Sequence, residues 1–418
     1  MPRLRLQVAK RFAFTTIRAS ALGLAGSQVA VIAGVIALDA IQKRKRKRRS
    51  GFPKPGLFRD TVADTATTVY TYGEDLFAAM LEAIDGAKHQ ILLETYIWKG
   101  DEMGARFRDA VNRAAERGVS VYVIYDGFAN LVVRPSFYRF HPDVNVFRFP
   151  IVKPSILFTN IRGTGFDHRK LMIVDEAIGF VGGYNIGSLY ATTWRDTHLA
   201  VRGKVIPDLR QAFASVWNLN TAKKHRELVD IGGGYWGSQI RAVTNIPANL
   251  VYPIRGVYLD AINQAQHRIY ITTAYFIPDR QILEALLRAS TRGVDVRVIV
   301  PEDSNHVVSD WLSRGFYSSM LRAGVRVLLY QNAMIHAKTA TIDGEWSTVG
   351  TANIDRLSLT GNYEINLEIF DRGLAATMER IFDVDSSNSR TLTEEEWESR
   401  HFVARASEAI LAPLRPFL

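Results

Sequence analysis

The 418-residue chain contains no cysteine. That excludes a disulfide framework, thiol catalysis, a cysteine-ligated zinc and an iron–sulfur cluster. Acidic side chains are missing from the first 38 positions, and only Asp39 falls within the first 50. Twelve of the 52 Lys and Arg residues lie there, so residues 1–50 carry a net charge of +11. The remaining 368 residues hold 40 basic and 41 acidic side chains. The overall +10 therefore belongs to one terminus. A nucleic-acid-binding domain is expected to be basic in its own body. This body is not, and no nucleic-acid partner is expected. At 47% hydrophobic and 22% charged residues, the composition is that of a globular chain.

The basic terminus holds a run without charge, Ala19–Leu38 (ASALGLAGSQVAVIAGVIAL). Twenty helical residues span about 30 Å, the thickness of a bilayer core. Five bases precede the run, and seven consecutive bases, Lys43–Arg49, follow it. A single membrane-anchor helix over 19–41 is the first expectation. A secretory signal peptide is opposed by the seven bases and by the lack of an A-x-A site. A mitochondrial presequence suits the acid-free start but not the length of the apolar run. The plainest alternative is an amphipathic or unstructured tail. With an anchor, the larger basic cluster keeps the body on the cytoplasmic side of an inner membrane. The same cluster attracts anionic headgroups at about 1 kcal/mol per base.

Beyond a basic linker over 42–60 the sequence repeats. Ala83–Trp98 (AIDGAKHQILLETYIW) matches Ala261–Phe276 (AINQAQHRIYITTAYF), and Arg113–Asp126 (RAAERGVSVYVIYD) matches Arg288–Pro301 (RASTRGVDVRVIVP). Each pair reads as helix, buried strand, helix, Arg-Gly turn, buried strand. Such alternation implies a mostly parallel sheet covered by helices. The expected order is a basic segment over 1–18, the anchor over 19–41, the linker, halves at 61–230 and 231–385, and an amphipathic tail over 386–418. The tail suits either a membrane surface or an ordinary packing helix.

Each half carries the same spaced set. His168, Lys170 and Asp175 precede Gly182, Gly183 and Asn185; His336, Lys338 and Asp343 precede Gly350 and Asn353. Both halves also place an acid 28 residues after the histidine, Asp196 and Glu364. On a strand, positions i and i+2 share a face, so each histidine projects beside its lysine. The aspartates, counted with the histidines and lysines in the candidate catalytic set, fall at the following turn, and the glycine-rich bend is expected to present backbone N–H groups to an anion. Histidine beside an ammonium is a poor metal site and a good phosphate site. Lysine and asparagine donate to phosphoryl oxygens, one imidazole can attack phosphorus, and another can protonate the leaving alkoxide. A carboxylate on the far ring nitrogen would fix the tautomer. A lone histidine is usually structural; two copies matching at four positions plus an acid are not. His198 could also line the site.

The twin H-x-K-x4-D pattern resembles the phospholipase D superfamily over about residues 65–418. The strings HRKLMIVDEAIGFVGGYNIG, WRDTHLAVRG, TAYFIPD, HAKTATIDGEWSTVGTANIDRLS and NYEINLEIF resemble the bacterial cardiolipin synthases most closely. The resemblance implies two pseudo-symmetric α/β/α halves with one active site between them. It also implies a covalent phosphohistidine, no metal and no other cofactor, with His168 as nucleophile and His336 as general acid. The implied role is a membrane-associated phosphatidyltransferase acting on a phospholipid, with phosphatidylglycerol or another alcohol as acceptor. A phospholipase D with water as acceptor, a nuclease of the same superfamily and a non-catalytic scaffold are the rival readings. Loops at Phe128–Thr164 and Asn305–Tyr317 are the expected headgroup selectors. Some relatives carry two N-terminal spans; this chain has at most one. Its oligomeric state is not legible.

Overall fold

Each half is built on the repeated unit. The computed structural model describes residues 26–37, 51–150, 165–221, 227–229 and 238–413. In it the first copy forms helix Gly73–Asp85, strand Gln90–Thr95, helix Glu102–Glu116 and strand Ser120–Asp126. The second forms helix Pro253–Gln264, strand Arg268–Thr272, helix Arg280–Thr291 and strand Asp295–Pro301. The second helix of each unit starts on an aspartate. Asp101 accepts from the Gly104 N–H, and Asp279 from those of Gln281 and Ile282. Each cap satisfies donors that a helix start leaves unpaired, at about 1 kcal/mol. The helices bury one stripe at helical spacing, such as Phe77, Met80, Leu81 and Ile84.

Two eight-stranded sheets result. They are mixed, not mostly parallel. Parallel pairing joins Gln90–Thr95, Ser120–Asp126 and Val144–Phe149 in one sheet. It joins Arg268–Thr272, Asp295–Pro301 and Arg326–Tyr330 in the other. The strands that follow each motif, Leu171–Val174 with Ile178–Gly182 and Thr339–Ile342 with Trp346–Gly350, are antiparallel hairpins. Only a long crossover can return a chain parallel to itself; a tight turn reverses it. The linker also ends earlier than expected, because strand Leu57–Val62 pairs with Thr65–Tyr70. Likewise Ser389–Thr391, expected in the tail, closes the second sheet against Arg326–Tyr330.

One apolar core crosses between the halves. Phe149, Val181 and Leu199 of the first pack in the same cluster as Val349, Ile365 and Leu367 of the second. Backbone pairing reinforces it. Met334–Ile335 lies parallel to Trp194–Arg195, and Asp167 bridges to Tyr363. These contacts fix the register of one half against the other.

The expected anchor is described only over 26–37, as helix. There Val31 and Ile32 pack beside Leu312 and Leu411, and the Gln28 side chain donates to the Ile410 carbonyl at 3.3 Å. Among the described residues no helix is long and apolar enough to cross a membrane. The block Lys43–Arg49 lies outside the described residues. The tail packs: Trp397 is buried with its indole N–H on Ser318, and helix Phe402–Leu411 buries Leu411. Phe402 and Val403 on that helix stay exposed.

Candidate active site

The two histidine–lysine segments lie just before strands Leu171–Val174 and Thr339–Ile342, not within them. Each is clipped to the opposite half. The His168 N–H donates to the Tyr363 carbonyl at 3.1 Å, and the His336 N–H to the Arg195 carbonyl at 2.7 Å. The residues after those carbonyls are the two predicted acids. Glu364 therefore meets His168 Nδ1 at 2.9 and 3.1 Å, and Asp196 meets His336 Nδ1 at 2.7 Å. The carboxylates are exchanged: each half supplies the acid for the other half's imidazole. With Nδ1 engaged, Nε2 is the nitrogen left to react.

Lys170 donates to the His168 carbonyl at 2.6 Å and Lys338 to the His336 carbonyl. An ammonium has three protons, so each lysine keeps donors for a ligand. Both lysines, both histidines and both carboxylates are buried. Burial lowers Lys170 to about 8 and Lys338 to about 7. Burial, with the ammoniums of both lysines, holds both imidazoles well below their usual range. Burial also lifts Asp196 to about 6, against the pull of Lys338, and Glu364 to about 8, against Lys170. Each histidine thus feels charges from both halves, so the motifs share one site. Aromatic edges wall the rings, with Tyr96 at 4.7 Å from His168 and Trp194 at 5.0 Å from His336, centroid to centroid.

The asparagines differ. Asn185 accepts from the Ile97 N–H at 3.1 Å, whereas Asn353 is buried with its side-chain oxygen unpartnered. The glycine N–H groups of the bend are not free for an anion. The Gly183 N–H is spent on the Thr197 carbonyl and that of Gly350 on the Lys338 carbonyl. The glycines matter for space: a Cβ on Gly183 would lie 2.0 Å from Asp196 Oδ1, and one on Gly350 2.1 Å from Asn366 Oδ1. Asp175 and Asp343 sit apart from the pocket, at the far ends of the motif strands with φ of 52° and 53°. Each carboxylate accepts three backbone N–H groups, from Lys88, His89 and Gln90 or from Gln266, His267 and Arg268, all at 2.8 Å. Partial burial opposes their charge, but these donors outweigh it and hold both carboxyls below their usual range. They tie the turn to the repeated strand's start.

Sequence reasoning placed the acids in the site but not their exchange between halves. It also missed Tyr96, Trp194 and the buried pairs behind the site, Arg195 with Asp385 and Arg169 with Glu94. The charged residues of WRDTH and DHRK were the available signal. His198 is buried with neither ring nitrogen partnered, and burial drops it to about 3. Among the described residues no group of three or more His, Asp or Glu is placed to hold a metal ion.

The family model described as cardiolipin synthase, PLD-like domain, matches residues 80–217 and 258–386. The chain belongs to the cardiolipin synthase family of phospholipase D-like proteins. Major cardiolipin synthase ClsA of Bacillus subtilis (strain 168) is 36% identical over 373 residues, 85% of this chain and 76% of that protein. Cardiolipin synthase 2 of Staphylococcus epidermidis is 33% identical over 376 residues, covering 85% and 75%. Phosphatidylserine synthase of Haemophilus influenzae Rd KW20 shares the fold at a TM-score of 0.64 and 15% identity, over 86% of this chain and 94% of that one. The two matched stretches of this cardiolipin synthase-family chain each contain one histidine–lysine segment and the acid that serves the other stretch's histidine.

Proposed function

We propose that the protein transfers a phosphatidyl group from a phospholipid to phosphatidylglycerol, or to another alcohol, through a phosphohistidine. The observation that carries this reading is the exchanged pair of His–carboxylate contacts in one buried site. Family membership supplies the substrate class, as the named relatives are cardiolipin synthases.

His168 Nε2 attacks phosphorus while Glu364 holds Nδ1. A P–N bond forms, the P–O bond to the headgroup alcohol breaks, and His336 gives its Nε2 proton to the departing oxygen. The acceptor hydroxyl then returns that proton to His336, attacks phosphorus and releases His168. With phosphatidylglycerol as both donor and acceptor, the products are cardiolipin and glycerol. Lys170, Lys338, Asn185 and Asn353 stabilise the phosphoryl oxygens. Asp175 and Asp343 act on the frame. Asp196 and Glu364, each on a ring Nδ1, hold the imidazoles in the tautomer that leaves Nε2 to react and support the imidazolium that forms in turn.

The enzyme works at a membrane, and the basic N-terminal segment keeps its body on the cytoplasmic face. Mass spectrometry of the lipids formed from phosphatidylglycerol vesicles tests the reading. Cardiolipin is the expected product. Phosphatidic acid alone would make the enzyme a phospholipase D, and no turnover of any donor would refute both.

A further inference from the structure

The two halves place equivalent loops after equivalent strands. Gly127–Val133 (GFANLVV) follows Ser120–Asp126, and Glu302–His306 (EDSNH) follows Asp295–Pro301 and ends where helix Val307–Arg322 begins. Their tips differ in kind. In the first, Phe128, Leu131 and Val132 are 47%, 53% and 83% exposed. In the second, two of the matching positions are the exposed Asp303 and His306, and the third, Val307, is the half-buried first residue of the helix. The fold therefore does not demand apolar residues at this tip, and single exposed apolar residues are ordinary where three within five positions are not.

The apolar loop is built to stay out. Asp126 accepts from the Phe128 and Ala129 N–H groups at 2.8 Å. The buried Asn130 donates to the carbonyls of Tyr96 and Asp126 and accepts from the Trp98 N–H. With its backbone so fixed, the tip cannot fold inward to hide its side chains. It also borders the site, because Phe128 packs on Phe166 at 4.8 Å, two residues before His168. Between Asp126 and Asp143 no residue is acidic, while Arg134 and Arg139 are exposed. The polar loop carries Glu302 and Asp303 and is tied to the site by Tyr275, whose hydroxyl donates to Asn305.

We infer that Gly127–Val133 is a membrane-docking loop. Phe128, Leu131 and Val132 enter the acyl region of an anionic bilayer beside His168, Arg134 and Arg139 meet its phosphates, and Glu302–His306 stays in water. The inference rests on the phospholipid reading of the site. It goes beyond it by assigning the contact to one loop rather than to the basic terminus.

The cysteine-free chain makes the test direct. Full-length V132C and H306C proteins carry an environment-sensitive fluorophore and are mixed with phosphatidylglycerol/phosphatidylcholine vesicles. The Val132 probe should shift to the blue and escape aqueous iodide, and the His306 probe should do neither. A Val132 probe that stays quenchable on vesicle-bound protein overturns the inference. So does one shielded without vesicles, since another part of the chain or a second copy would then cover the tip. The paired variant L131E/V132E should lose about tenfold or more in turnover of vesicle substrate, with less vesicle-bound protein on co-sedimentation. Unchanged vesicle binding and turnover would also overturn it. Probe insertion with no lipid turnover by the unsubstituted protein would refute the phosphatidyltransferase reading and leave the docking loop standing.

Discussion

The halves agree where phosphorus would be handled and part company one residue layer away. Each has a buried histidine, a lysine donating to that histidine's carbonyl, and a carboxylate lent to the other half. Around this skeleton the pairs diverge. Gly183 stands opposite Thr351, whose hydroxyl donates to Glu364; His198 stands opposite Asn366, which accepts from the Thr351 and Ala352 N–H groups. In the proposed mechanism the two imidazoles do unequal work. A symmetrical pair would be poor at the task, since one ring must be neutral to attack while the other carries a proton to the leaving oxygen.

The largest expected break is loss of either imidazole. H168A and H336A should each cost on the order of 10⁴-fold in turnover, with circular dichroism unchanged. If the halves were independent sites, each variant would keep about half the activity. Next come the exchanged acids. D196N and E364Q should each lower turnover by about 10²- to 10⁴-fold, because each removes the acid on the other half's imidazole. An unchanged rate in either variant would contradict the exchange. A third measurement is the pH profile. Turnover should fall as pH drops through about 6, where Asp196 takes a proton, and as it rises through about 7 to 8, where Lys338 and Lys170 lose theirs. A flat profile from pH 5 to 9 would contradict these environments. The smallest effect on chemistry belongs to the turn aspartates. D175A and D343A should cost about 1–3 kcal/mol of stability through unpaired N–H groups, read as a lower Tm with nearly normal turnover by the folded fraction.

Much of this was legible in the sequence because duplication doubles every signal. A histidine, a lysine and an asparagine at matched spacing in two copies separate chemistry from packing, and the repeated Arg-Gly turn located the strands that carry the frame. What stayed hidden was relational. Nothing in WRDTH or NYEIN says that Asp196 serves His336 and Glu364 serves His168, since that follows from backbone clips between distant segments. The glycine-rich bend looked like an anion nest because glycine suits both exposed N–H groups and close approach; here it admits the Asp196 carboxylate. Sheet direction was misjudged because helix–strand alternation describes only three strands of each sheet. The motif hairpins add antiparallel neighbours that local pattern does not reveal.

The central claim is one site in which His168 takes the phosphatidyl group and His336 handles the proton. Mass spectrometry of peptides from H336A, quenched during turnover of phosphatidylglycerol, tests it most directly. The account predicts a phosphatidyl adduct on His168 and none in H168A. An adduct on His336 in H168A, with His168 unlabelled in H336A, would contradict it.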